Sequence, residues 1–367
     1  MELTTMHGVD AWHIRSDSAD AWVSVNGAMV APVKFHQEGR TAQPYSLAPW
    51  EPGTVPGVDP LLDGLRGDFF CLPFGPQPDG PQHGQTASAA WTAEAATPSS
   101  VTLRMEASDI DASVTRTISL RDGETVLYQE VLISGLDGDL PYGTHPILDF
   151  SPGTSGPARI STSRMAWSST NPLPFADPGI GETQVLAVDA LFDTLDAIPR
   201  ADGSTLDVSR YPTTPGHEDL VMLVNDPGAG NIGWSAASFE GFTWFALKDV
   251  RSFPATLLWI SNGGRSQAPW SSRHTARMGI EDVCSHFADG LNASRRNPLR
   301  DRGIPTVRTF DADTPVRLGV AQGVVFTPTG FGRVLDIDTS IPGLAVLTDD
   351  AGTSVETRVD WSFVLEM

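Results

Sequence analysis

One arginine, two histidines and one glutamate, spread over three short segments, carry the candidate chemistry of this chain. The first segment starts at Leu65-Arg66-Gly67 and runs through Leu72-Pro73-Phe74-Gly75 to His83-Gly84. The second is Tyr142-Gly143-Thr144-His145-Pro146, and the third is Gly279-Ile280-Glu281. An imidazole titrates near neutrality, so His145 suits proton donation to a ring oxygen at physiological pH. Glu281 ends the run Arg277-Met278-Gly279-Ile280-Glu281. A carboxylate there can face a cleft and still be desolvated, which raises its pKa and makes it a better base. An acid and a base held across a small polar substrate are the minimum needed to open and close a sugar ring.

Each residue also has a plainer reading. His83 could hydrogen-bond its own glycine-rich turn, and His145 could be a satisfied core histidine. Glu281 could help begin a helix, where negative charge is favoured, although Asp282 fills that role better. His217, Glu218 and Asp219 precede an apolar run and could bind hydroxyls or simply form a solvated turn. Trp259, Trp270 and Trp244 could stack on a sugar face or belong to the sheet core. There is no P-loop, no HExxH, no CxxC and no GxSxG. No nucleotide, cofactor or required metal is expected.

The elements that must position these groups read as strands. Ala21–Val25, Asn26-Gly27 and Ala28–Val33 predict a hairpin with a type I′ turn at Asn-Gly. Residues 38–64 read as a long loop. Val101, Leu103 and Met105 alternate with polar residues, as a half-buried strand does. Further strands are expected at Val114–Leu120, Val126–Ser134, Gln184–Phe192, Leu220–Val224, Trp234–Ser238, Thr243–Leu247, Thr256–Ser261 and Val355–Leu365. The best helix candidate is Asp282–Ala293, where Val283, Phe287 and Leu291 share one face. Strands without intervening helices imply an antiparallel sandwich or barrel.

Composition narrows the partners. At 367 residues the chain can bury a large core without disulfides. A net charge of −21 repels nucleic acid and anionic membranes, so neither is expected as a partner. The N-terminus has no basic, apolar leader, and no stretch of about 18 apolar residues exists to span a membrane. The only cysteines, Cys71 and Cys284, fit a reducing, cytoplasmic setting, and Cys284 reads as a small buried side chain. Nothing in the sequence sets an oligomeric state.

Taken together, the three segments resemble the galactose mutarotase, or aldose 1-epimerase, superfamily. The stretch from Leu65 to Trp91 is most similar to its hexose-6-phosphate epimerase branch. Tyr142–Phe150 is similar to the strand carrying the proton-donating histidine, and Arg277–Glu281 to the strand ending in the catalytic glutamate. The separations, 62 residues from His83 to His145 and 136 from His145 to Glu281, keep the family's order. The resemblance covers roughly residues 20–325. It implies an all-β, two-sheet antiparallel β-supersandwich with few short helices, formed as a single domain over residues 1–367. Residues from about 326 onward would add C-terminal strands.

It further implies interconversion of α and β anomers of a hexose or related sugar, a small-molecule partner. Glu281 would be the base, His145 the acid, and His83 would polarise the ring oxygen. Arg66, Asp219 and Trp259 would bind the sugar. A non-catalytic carbohydrate-binding or sugar-sensing protein on the same fold is the alternative. One departure matters: Ala87 stands where the phosphate-using branch carries an arginine. Loss of that bidentate phosphate contact favours a neutral or uronic sugar over a 6-phosphosugar, unless Arg265 or Arg273 substitutes.

Overall fold

In the computed structural model, which describes residues 2–151 and 156–366, the alternation read from the sequence becomes alternation of burial. Val101, Leu103 and Met105 point inward along Ser100–Ala107, and the next strand, Ala112–Leu120, repeats the period of two. These strands belong to a nine-stranded antiparallel sheet. Its order is Arg210–Tyr211, Ala158–Thr162, Ile232–Phe239, Phe242–Asp249, Val316–Phe326, Val126–Ser134, Ala112–Leu120, Ser100–Ala107 and Thr92–Thr97. A seven-stranded antiparallel sheet runs Met165–Thr170, His217–Asn225, Ala255–Asn262, Arg277–Cys284, Tyr142–Thr144 and Phe70–Cys71, and Ile147–Asp149 also pairs with Arg277–Cys284.

His217–Asn225 and Ala255–Asn262 are buried along their whole length, so the second sheet is covered on both faces. On one face Val221, Leu223, Leu258, Ile260, Met278 and Ile280 join a core shared with the nine-stranded sheet. On the other, Leu220, Met222, Leu257, Trp259 and Val283 pack with Phe69, Phe74, Trp270 and Phe287. Each fully buried side chain of this size is worth about 1.5–3 kcal/mol. The two faces therefore do different work: one holds the sheets together, the other lines the floor of a cleft.

Two smaller sheets flank this frame. Residues 3–42 form a five-stranded meander. Near the C-terminus, Val334–Asp338, Leu344–Asp349 and Ser354–Arg358 form a three-stranded sheet. Ile337 and Leu347 of this sheet, with Val359 and Val364 just after it, pack on Tyr128, Phe245 and Ala321 of the nine-stranded sheet. No helix among the described residues is long and apolar enough to cross a membrane.

Four expectations are corrected. The strand Arg277–Cys284 passes straight through Glu281 and Asp282, and the helix is only Gly290–Arg296. Asp282 is therefore no helix cap: its carboxylate takes the Lys248 ammonium at 2.6 Å in the core. Ladder hydrogen bonds and that ion pair outweigh the weak helical spacing of Val283, Phe287 and Leu291. Residues 184–192 form a loop, because the amides of Val185 and Leu186 bond the Asp219 carboxylate and not a neighbouring strand. Residues 355–365 form one strand to Arg358 and then a 3-10 turn, Trp361–Val364, where the Asp360 amide bonds the Tyr128 hydroxyl. The hairpin at Asn26-Gly27 is longer than a two-residue turn: Val23 pairs Val30, and Gly27 and Ala28 carry the positive φ angles.

Candidate active site

His145 lies in the short break between Tyr142–Thr144 and Ile147–Asp149, both hydrogen-bonded to Arg277–Cys284. The backbone is fixed there from beneath. The His145 amide donates to the Phe69 carbonyl and to Asp68 Oδ1, each at 2.9 Å. Asp68 is fully buried, and its other oxygen accepts from Gln129 Nε2 at 2.5 Å and Gln322 Nε2 at 2.8 Å. Arg116 and Tyr45 hold those two glutamines in turn. Burial pushes the Asp68 carboxyl up, while Arg116 and these hydrogen bonds pull it back down. Gly67, just before Asp68, has φ +47° and lies so close to the Val30 carbonyl that a Cβ would sit 1.9 Å from its oxygen. Only glycine fits this crossing.

Glu281 comes from the middle of its strand and faces the cleft beside Trp259. His145 Nε2 stands 3.2 Å from Glu281 Oε1. Among the described residues, neither Glu281 Oε1 nor His145 Nδ1 has a hydrogen-bond partner. Burial alone raises the Glu281 carboxyl well above its ordinary range. Burial also drives His145 well below neutrality, with His83 adding to the effect. Both shifts favour the neutral forms. Gly279 leaves the space that the carboxylate occupies: a Cβ there would meet Glu281 Oε1 at 2.3 Å.

His83 completes the group. The Gly75 amide donates to His83 Nδ1 at 3.1 Å, which puts the neutral ring's proton on Nε2, beside the Gln82 side-chain amide. Burial lowers His83 to about 3, which keeps the ring a neutral donor across the physiological range. The His83 and His145 rings meet edge to face at 5.2 Å, with Phe69 stacked on His145 at 4.5 Å. Trp259 stands edge-on to His145 at 5.7 Å.

These four residues share a cleft of about 450 Å³ whose walls include Phe69, Asn171, Phe175, Glu182, Arg265 and Trp270. Two other sequence candidates do not line it. Arg66 is buried with its guanidinium on the carbonyls of Gly64, Met6 and His7. Asp219 is buried against His217 Nδ1 at 2.6 Å and the Leu186 amide at 2.9 Å. It anchors the loop that forms one cleft wall. Trp270 lines the cleft, whereas Trp244 is buried in the inter-sheet core with its indole on Tyr45. Ala87, Cys71 and Cys284 are buried.

Sequence reasoning missed Asp68, Asn171 and Glu182. Asp68 stood inside the first motif, next to Arg66. Nothing in the local pattern marked Asn171 or Glu182, which reach the cleft from an irregular loop.

No protein-family model matches the chain, and neither does any curated protein. Solved structures do share its fold. A galactose mutarotase related enzyme from Lactobacillus acidophilus aligns with a TM-score of 0.55 at 13% identity, over 87% of this chain and 98% of that one. A galactose mutarotase-like protein from Lactobacillus casei gives 0.55 at 13%, over 86% and 100%. A GalM/aldose epimerase homologue from C. elegans gives 0.55 at 15%, over 87% and 100%. The chain has the galactose mutarotase-like fold.

Proposed function

We propose that this protein is an aldose 1-epimerase-like isomerase that interconverts the α and β anomers of a sugar. One observation carries the reading: a buried carboxylic acid and a buried imidazole touch at 3.2 Å in the wall of a cleft of small-molecule size. The ring oxygen and the anomeric hydroxyl of an aldose are bonded to the same carbon. The acid and the base that serve them must therefore be neighbours, as His145 and Glu281 are.

Glu281 accepts the proton of the anomeric hydroxyl, and His145 donates one to the ring oxygen. The bond between the ring oxygen and the anomeric carbon breaks, and the open-chain aldehyde forms. Rotation about the first carbon–carbon bond presents the other carbonyl face. The ring oxygen then attacks, its proton returns to His145, and Glu281 returns the other to the new hydroxyl. At rest the pair favours its neutral form. A sugar hydroxyl donating to Glu281 and a ring oxygen accepting from His145 favour the charged form that starts the reaction. His83, a neutral Nε2–H donor, polarises the ring oxygen, and Trp259 offers an aromatic surface to sugar C–H groups. Nothing is oxidised, so both steps are proton transfers.

A protein that only held sugars would need the aromatic and polar walls. It would have no use for an acid–base pair kept out of water, which costs folding free energy. Polarimetry on freshly dissolved aldoses, with NMR exchange at anomeric equilibrium, tests the reading. Faster anomer exchange of at least one aldose than in buffer supports it. Buffer-level exchange across the panel refutes it.

A further inference from the structure

We infer that Arg265 and Asn171 form the substrate-recognition clamp of this cleft, and that the clamp selects an unphosphorylated, polyhydroxy sugar. The inference rests on the isomerase reading and specifies its substrate class.

Arg265 is held in an unusual way. Its guanidinium lies over Trp270 at 4.7 Å and Trp259 at 5.6 Å, and its Nε stands 3.1 Å from Glu182 Oε1. The Nε is nevertheless buried with no hydrogen-bond partner, and no hydrogen bond leaves the guanidinium among the described residues. Glu182 is itself engaged, by the Asp177 amide at 3.0 Å and Gln267 Nε2 at 3.1 Å. So Arg265 is fixed by stacking and by charge, while its fork of donors is unused. Arg66, with donors spent on three carbonyls, is the opposite case.

Asn171 supplies the complementary group. It is 7% exposed and lines the same cleft. Its Nδ2 donates to the Leu173 carbonyl at 2.9 Å, which fixes the amide's orientation. Its Oδ1 is then buried without a partner. Unpaired buried groups of this kind cost about 1–3 kcal/mol each unless a ligand satisfies them.

The cleft thus offers an unused fork of donors and an unused acceptor. A hydroxyl both donates and accepts, so sugar hydroxyls satisfy the two together. A phosphate dianion only accepts. It would bring two negative charges against Glu182 and Asp289, with Arg265 the only lysine or arginine in the lining among the described residues. Ala87, fully buried in a short helix, supplies no second cation.

Isothermal titration calorimetry with glucose, galactose and their 6-phosphates tests this on the full chain. The free sugars are expected to bind at least about tenfold more tightly than the phosphates. Arg265→Met should weaken free-sugar binding by about 10–100-fold, the loss expected for hydrogen bonds to a charged group. Arg265→Lys, which keeps the charge and loses the planar fork, should recover little of it. In turnover the loss should fall on KM more than on kcat. Tighter binding of the 6-phosphates, wild-type affinity in Arg265→Met, or no binding of any free sugar would each overturn the inference. Clamp-dependent binding without anomer exchange would refute the isomerase reading and leave the clamp standing. Exchange that ignores Arg265 would do the reverse.

Discussion

Gly279→Ala is expected to silence the site without unfolding the protein. Gly279 sits two residues before Glu281 on the same strand and directly opposite Trp259. It has no positive φ, so an alanine there meets no backbone strain. The added Cβ would lie 2.3 Å from Glu281 Oε1 and 3.2 Å from the Trp259 Cβ. The first distance falls roughly 1 Å short of ordinary van der Waals contact. Relief is cheap, because the clashing atom is the free end of a flexible side chain beside an open cleft. The carboxylate swings away and the fold survives, with a stability change within about 1 kcal/mol. A displacement of about 1 Å at a reacting group costs on the order of 10²-fold in rate. The assay pairs NMR anomer exchange with thermal unfolding. Near-wild-type exchange would show that Glu281 does not work from the position described. Loss of exchange together with a large fall in the unfolding midpoint would show that the clash is relieved by the backbone instead.

Three further outcomes follow from the buried groups. Lys248→Met strands the Asp282 carboxylate in the core and should cost roughly 3–5 kcal/mol in chemical denaturation, with Asp282→Leu added to it restoring much of the loss. Asp219→Ala frees the Leu186 amide and loosens the cleft wall, so it should raise KM and lower the unfolding midpoint with little change in kcat. Acid should act in two stages. Burial depresses His83 to about 3 and pushes His145 and His274 down as well, so each adds stability that is full above 6.5 and drains as pH falls. Burial raises Glu218 to about 7 and Glu281 well above 4.5, and these gain stability as pH falls toward 4.5. The two sets oppose each other between about 6.5 and 4.5. Below 4.5 the histidines keep draining stability, and Asp249, Asp349, Asp360 and Glu366, whose carboxyls hydrogen bonds hold below their ordinary range, now drain it as well. Denaturation at stepped pH should show a shallow slope and then a steep one, and a steep loss beginning near pH 6 would contradict the burial of these rings.

The sheets were legible because their strands write burial into the sequence with a period of two. Val126–Ser134 is read to the residue, and most of the other expected strands to within a few. The candidate pair was legible for a related reason: Glu281 within an apolar strand and His145 between two such strands are polar residues where polarity needs an explanation. What failed was local punctuation. Asp282 looked like a helix cap, but its partner, Lys248, is 34 positions away in the chain, and no short-range pattern contains it. Arg66 looked like a sugar ligand, because sequence cannot show that the carbonyls of Met6 and His7 fold back onto it. Glu182 and Asn171 escaped notice because they sit in a loop whose shape is set by Asp219, not by their own neighbours.

Anomer exchange in Glu281→Gln, measured by NMR saturation transfer beside the wild type on the best free aldose, tests the central claim most directly. Glutamine keeps the shape and cannot take a proton. The variant should fold, bind the sugar with nearly unchanged affinity, and lose about 10²–10⁴-fold in exchange rate. Exchange within a few-fold of wild type, in a folded variant that still binds, would show that Glu281 is not the base.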